Sequence, residues 1–103
     1  MKPIKCSFEV VKVKENEYDV LFFADLLVLK VFSSVYPEFF FMEKSKFGRP
    51  LIAVPSFTKL EGAEVWIKYW KDAFSNPSKA CTTCPSVREV FQRLEKELSP
   101  GKP

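Results

Sequence analysis

Residues 38–56, EFFFMEKSKFGRPLIAVPS, decide the fold of this chain. Two apolar segments in this stretch flank a basic link, KSKFGRP, at residues 44–50. Within the link, Gly48 can supply the positive φ that a turn needs, and Pro50 removes a hydrogen-bond donor where the next strand begins. The pattern predicts a β-hairpin with a basic turn that carries Phe47.

Another hairpin is predicted earlier, over residues 4–24, IKCSFEVVKVKENEYDVLFFA. Alternating residues and the β-prone segment YDVLFFA indicate two strands, and the polar segment KENE makes the turn. Because this bend contains no glycine, we expect a loop of about three to five residues rather than a tight turn.

Asp25 interrupts the apolar run that follows the first hairpin. As an N-cap, it would accept hydrogen bonds from the free N–H groups of a helix over residues 26–35, which the segment at 33–37 closes. The alternative keeps residues 18–35 as one long strand, or as two strands with a bulge at Asp25. The helix is our prediction.

After Thr58, the spacing of apolar residues changes to that of a helix. Apolar residues then recur at three- and four-residue spacing, at Ala63, Trp66, Ile67, Trp70, Ala73 and Phe74. This stripe predicts a helix of about four turns, and Thr58 and Glu61 have the spacing of a capping box. As a strand, the segment would instead place Trp66, Lys68 and Trp70 on one face.

A last helix is predicted near the end of the chain. Its buried stripe consists of Val87, Val90, Phe91, Leu94 and Leu98, and Ser86 and Glu89 have capping-box spacing. The order ββαββαα predicts an α+β fold, a four-stranded antiparallel sheet with helices packed on one face. We expect a single domain over residues 1–98 and a frayed tail over 99–103.

The composition predicts a cytoplasmic protein that does not cross a membrane. The start, MKPIKCSFEV, has no apolar core of a signal peptide, and the most apolar run contains Asp25 and Lys30. Three cysteines, an odd number, fit a reducing compartment better than a disulfide framework.

Catalytic signatures are missing from the sequence. The chain has no histidine, which removes Ser–His and Cys–His pairs, and its three glycines lack the spacing of a phosphate-binding loop. We therefore expect a non-enzymatic protein without cofactor or metal.

Cys81 and Cys84, in CTTC, form the one recognisable short motif. They are interpreted as two small semi-buried residues or a structural disulfide, as a redox pair at a helix start, or as part of a metal site. A complete zinc site needs four ligands, and Cys6 supplies only a third.

Basic residues are concentrated in one part of the chain. Residues 15–43 carry six acidic residues and one lysine, whereas residues 44–71 carry six basic residues and two acids. Cations neutralise phosphates and aromatic rings stack on bases, so this stretch indicates a nucleic-acid-binding surface. The predicted binding residues are Lys44, Lys46, Phe47, Arg49, Lys59, Lys68 and Lys71, with base stacking by Phe39, Phe41 and Trp70. The alternative places these rings in the core and the cations in solvent.

Residues 47–56, FGRPLIAVPS, resemble the strand of SpoVG-type proteins, in which a glycine turn leads into an apolar strand that ends in Pro-Ser. The resemblance implies a small antiparallel sheet, a carboxy-terminal helix and affinity for nucleic acid. The overall architecture is also similar to ThermoDBP-type archaeal single-stranded DNA-binding proteins, which have a sheet flanked by helices and a basic, apolar-lined cleft.

The leading hypothesis is binding of single-stranded DNA or RNA with little sequence preference. The second is a protein-interaction or oligomerisation module without nucleic-acid binding. A homo-oligomer is expected because sixteen aromatic residues exceed what a small core easily buries. The third is a thiol redox protein that uses Cys81 and Cys84.

Overall fold

The computed structural model describes residues 2–80 and 84–98, so the predicted tail at 99–103 and Cys81 lie outside the described residues. Its elements are β1 (Cys6–Lys14), β2 (Glu17–Ala24), α1 (Leu26–Val35), β3 (Phe40–Met42), β4 (Leu51–Phe57), α2 (Leu60–Ser75), a short 3-10 helix (Pro77–Lys79) and α3 (Pro85–Leu98). The predicted α+β class and the order ββαββαα are confirmed.

The four strands form one antiparallel sheet in the order β1-β2-β4-β3. In its register, Phe22 of β2 lies between Phe8 of β1 and Ile52 of β4, and Ile52 lies opposite Phe41 of β3. Successive strand residues point to opposite sides, so these four residues share one face of the sheet.

The helices pack against that face. Phe22 lies 5.0 Å from Phe32 of α1 and 5.4 Å from Phe74 of α2, measured between ring centroids, and all three rings are fully buried. α3 completes this layer through Phe91, which lies 5.4 Å from Phe74. Burial of each large apolar side chain stabilises the fold by about 2 kcal/mol, so this aromatic layer holds sheet and helices together.

The segment after Asp25 is a helix, and the strand alternative is wrong. Asp25 occupies the N-cap position, and its backbone carbonyl accepts a hydrogen bond from the N–H of Leu29 at 3.0 Å. Its side chain makes no capping hydrogen bond, so the predicted capping role is not fulfilled. Burial of Val28, Leu29 and Phe32 against the sheet, rather than capping, therefore stabilises α1.

The turn of the first hairpin is tighter than predicted. Only Glu15 and Asn16 lie between β1 and β2, and Lys14 pairs with Glu17. Asn16 has a φ of 60°, in the left-handed region that asparagine tolerates better than most residues. Asparagine thus replaces the glycine whose absence had suggested a longer loop.

Neither predicted capping box forms. α2 begins at Leu60 with Lys59 at its N-cap, so Thr58 is one residue too early. α3 begins at Pro85, a residue favoured at the first helical position, and the hydroxyl of Ser86 instead contacts that of Tyr36 at 2.8 Å. The apolar stripes, rather than the caps, determine where both helices lie. Among the described residues, no helix is both long and apolar enough to span a membrane.

Candidate binding surface on the open face of the sheet

The second face of the sheet, here called the open face, is not covered by helices. Phe23 of β2 lies opposite Leu51 of β4, and Leu51 lies opposite Met42 of β3. Two residues further along the strands, Leu21 and Ala53 pair, and Ala53 lies opposite Phe40. Although no helix lies above it, Phe23 is only 2% exposed, so another part of the chain must cover it.

That cover is the link between β3 and β4, residues 43–50, here called the basic loop. The ring of Phe47 meets the ring of Phe23 edge to face, with centroids 5.6 Å apart and planes at 87°. Arg49 lies over the same ring, with its guanidinium carbon 4.1 Å from the centroid. The basic loop therefore folds back over one end of the open face and places Phe47 and Arg49 on that side.

Hydrogen bonds around Ser45 fix the shape of the basic loop. The Ser45 hydroxyl donates to the carbonyl of Arg49 at 2.5 Å and accepts from the N–H of Phe47 at 3.2 Å. The N–H of Gly48 donates to the carbonyl of Ser45 at 3.0 Å. Gly48 has a φ of 79°, which confirms its predicted role in the turn.

The cations of the basic loop are available to a ligand. Within residues 2–80 and 84–98, Lys44, Lys46 and Arg49 make no ion pair with a carboxylate. All three are exposed, and the Lys46 ammonium lies 5.6 Å from the centroid of Phe47. Cations without acidic partners can neutralise phosphates without first breaking an internal ion pair.

The remaining predicted cations belong to the helix layer. Lys59 lies at the N-cap of α2, and Lys68 and Lys71 lie on α2 itself, which packs against the other face of the sheet. Lys68 is paired with Asp72 at 3.1 Å. The seven predicted binding residues are thus divided between the basic loop and α2, rather than brought together on one surface.

The rings predicted to stack on bases point away from the open face. Trp70 is only 4% exposed, and Phe39 and Phe41 pack against the helix-side core. Their neighbour Phe40 is 61% exposed and Phe47 is 46% exposed. The alternation in FFF separates Phe40 from the other two, but it does not indicate which side the helices cover. Phe40 was therefore missed as a candidate stacking residue.

In the described part of the chain, the cysteines do not come together in a metal or redox site. Cys84 is exposed just before α3, and Cys6 is half-buried at the start of β1. Burial raises the pKa of the Cys6 thiol to about 11, with the charge of Lys71 acting in the opposite direction. No metal-binding group of His, Cys, Asp and Glu occurs among these residues. The Cys81–Cys84 pair stays a prediction.

Comparison with family models, with curated proteins and with solved structures gives no match. The resemblances to SpoVG-type and ThermoDBP-type proteins therefore stay predictions. A functional assignment rests on the chemistry of the open face, which combines cations without acidic partners, exposed aromatic rings and an apolar strand surface between them.

Proposed function

We propose that this chain is a non-enzymatic protein that binds single-stranded DNA or RNA on the open face, with little sequence preference. One observation carries the proposal. Lys46 lies beside the half-exposed ring of Phe47 and Arg49 lies over the ring of Phe23, both without acidic partners among the described residues, on the side of the sheet that the helices leave uncovered.

Each part of this surface matches one part of a single strand. The basic loop would neutralise backbone phosphates, and the faces of Phe40 and Phe47 would stack on bases. Stacking is worth about 1–3 kcal/mol per base, and it tolerates any sequence because every base has a π-face. In a duplex the base faces are already stacked on one another, so the exposed rings favour a single strand.

The cations of α2 have a secondary role in this proposal. Lys68 and Lys71 lie in the helix layer, and Lys68 already has Asp72 as a partner. At physiological salt, charges are screened beyond about 8 Å, so cations in a different layer contribute little to contact affinity. Direct contacts are therefore assigned to Lys44, Lys46 and Arg49.

A fluorescence-anisotropy titration tests the proposal. Labelled dT and rU oligomers of equal length are titrated at low and at moderate salt. We expect binding to both that weakens steeply as salt rises, because neutralised phosphates release counterions. Binding that is independent of salt, or no binding to either oligomer, would remove the proposed function.

Exposed apolar side chains on the same face favour a second candidate, a protein-interaction module that forms a homo-oligomer. Phe40, Met42 and Val11 are all exposed large hydrophobic residues on the open face. Apolar patches of this kind are typical of subunit interfaces. A sizing column that shows a stable dimer, combined with no oligonucleotide binding, would favour this candidate.

A further inference from the structure

A depression of about 770 Å³ lies at the end of the open face, where the start of β1, the end of β2, the start of α1 and the basic loop meet. Phe23 and other apolar residues form part of its lining. The charged residues that line it are Lys5, Lys44, Arg49, Asp25 and Glu43. It therefore presents charges of both signs, whereas Phe23 itself is only 2% exposed beneath Phe47 and Arg49.

These opposite charges do not pair with one another. Among the described residues, neither Asp25 nor Glu43 lies within 4.0 Å of a basic nitrogen, although three cations line the same depression. The basic donors and the carboxylate acceptors in this depression are not paired with each other, so both remain available to a ligand bound between them. The ligand has to present acceptors to the cations and donors to the carboxylates.

The charges discriminate between classes of ligand. A phosphate carries only acceptors and would be repelled by Asp25 and Glu43, whereas a purely cationic ligand would be repelled by Lys44 and Arg49. Guanine presents two acceptors, O6 and N7, on one edge and two donors, N1–H and the N2 amino group, on the other.

We propose that this depression binds a guanine base of the bound single strand, an inference that rests on the proposed function. Arg49, held over Phe23, donates to O6 and N7, the commonest specific contact between an arginine and a base. The carboxylates of Asp25 and Glu43 accept from N1–H and the N2 amino group. The protein thus tolerates most sequences but prefers guanine at one position.

The test is an anisotropy titration with labelled dT oligomers that carry one central substitution. The wild-type protein should bind the strand with one dG on the order of tenfold more tightly than the all-dT strand. Deoxyinosine, which lacks the N2 amino group, and 7-deaza-dG, which lacks N7, should each lose part of this preference. If both analogues reduce the preference for guanine, the protein contacts both the edge with N7 and the edge with the N2 amino group.

Matched variants assign the contacts. Glu43→Ala should reduce the preference for guanine, whereas Glu38→Ala, with the same charge change close by in the chain, should keep it because Glu38 does not line the depression. Asp25→Ala can be tested in the same way, because the Asp25 side chain makes no capping hydrogen bond. Arg49→Lys keeps the positive charge but loses the fork of donors, so affinity for the dG strand should fall by a larger factor than affinity for the all-dT strand.

The outcomes separate this inference from the proposed function. Equal affinity for the dG and all-dT strands would overturn the guanine site and leave single-strand binding intact. A strand with a 5′-phosphate that binds more tightly, without preference for guanine, would make the depression an anion site and also overturn the inference. No binding to any strand would remove both proposals.

Discussion

The guanidinium of Arg49 lies over the ring of Phe23, with its carbon 4.1 Å from the ring centroid. This contact joins the basic loop to the sheet, because Phe23 belongs to β2 and Arg49 lies shortly before the start of β4. A cation–π contact of this kind is worth about 0.5–2 kcal/mol. It helps to bury an aromatic ring that no helix covers, and it holds a cation on the open face.

The first prediction concerns which cations touch nucleic acid. Replacement of Lys46 and Arg49 by alanine should weaken binding to dT roughly tenfold, and the slope of log K against log salt should become shallower by about 1.4, at about 0.7 for each lost phosphate contact on a single strand. The double variant Lys68→Ala, Lys71→Ala removes the same charge from α2 and should change both quantities much less. Anisotropy titrations at several salt concentrations measure the slope for each variant.

Circular dichroism melting shows whether both double variants remain folded. If the α2 variant loses binding and the loop variant keeps it, the contact surface lies on the helix layer and the assignment to the open face is wrong.

The second prediction compares two adjacent phenylalanines of β3. Phe40 is exposed on the open face, whereas Phe41 packs against the helix-side core. Phe40→Ala should weaken binding by about 1–3 kcal/mol with little effect on stability, because it removes a stacking ring. Phe41→Ala should lower the free energy of unfolding by roughly 2 kcal/mol, because a partly buried ring is lost. Urea denaturation measures the stability of each variant, and anisotropy titration measures its affinity for the oligomer. Equal effects of Phe40→Ala and Phe41→Ala on binding would argue against stacking by Phe40.

The third prediction compares two glycines. Gly48 has a φ of 79°, and apart from the glycine and its two chain neighbours no residue has a heavy atom within 4 Å of the position that an added Cβ would occupy. Gly48→Ala should therefore lower the free energy of unfolding by about 1 kcal/mol through backbone strain alone. It should also weaken binding, because Phe47 and Arg49 lie on either side of it. Gly62 lies in α2, where an added Cβ would make an ordinary contact at 3.8 Å with Phe57, so Gly62→Ala should stabilise the protein by about 0.5 kcal/mol. Denaturation curves that shift in the same direction for both variants would contradict this prediction.

The fourth prediction follows from the thiol of Cys6. Burial raises its pKa from 9.0 to about 11, so the folded state holds the proton more tightly than the unfolded state. This stabilisation is fully present below the unfolded pKa of 9.0 and is lost as the pH rises through about 11. The free energy of unfolding should therefore fall more steeply across this range in the wild type than in Cys6→Ala. If the free energy of unfolding depends on pH in the same way for both proteins, burial does not raise the pKa of the Cys6 thiol.

Local patterns in the sequence predicted the fold well. The spacing of Ala63, Trp70 and Phe74 predicted α2, and Gly48 predicted the turn of the second hairpin, because both signals depend on residues close in the chain. The predicted N-caps Thr58 and Ser86 were wrong. Several polar residues near each helix start have capping-box spacing, and tertiary packing determines at which residue the helix begins.

The candidate site was predicted only in part. The basic loop was identified from its charges and from Phe47, which are adjacent in sequence. The choice between Phe40 and Phe41 depends on which face the helices cover, and that is decided by long-range packing. The same limit applies to Lys68 and Lys71, which are basic in the sequence but belong to the layer opposite the open face.

The most direct test is an NMR titration of the isotope-labelled protein with a dT oligomer, in which the amide shift of each residue is followed. We predict that the largest changes occur in the basic loop and at Phe40, with small changes along the outer side of α2. Changes concentrated around Lys68 and Lys71, or no changes at saturating oligomer, would contradict binding on the open face.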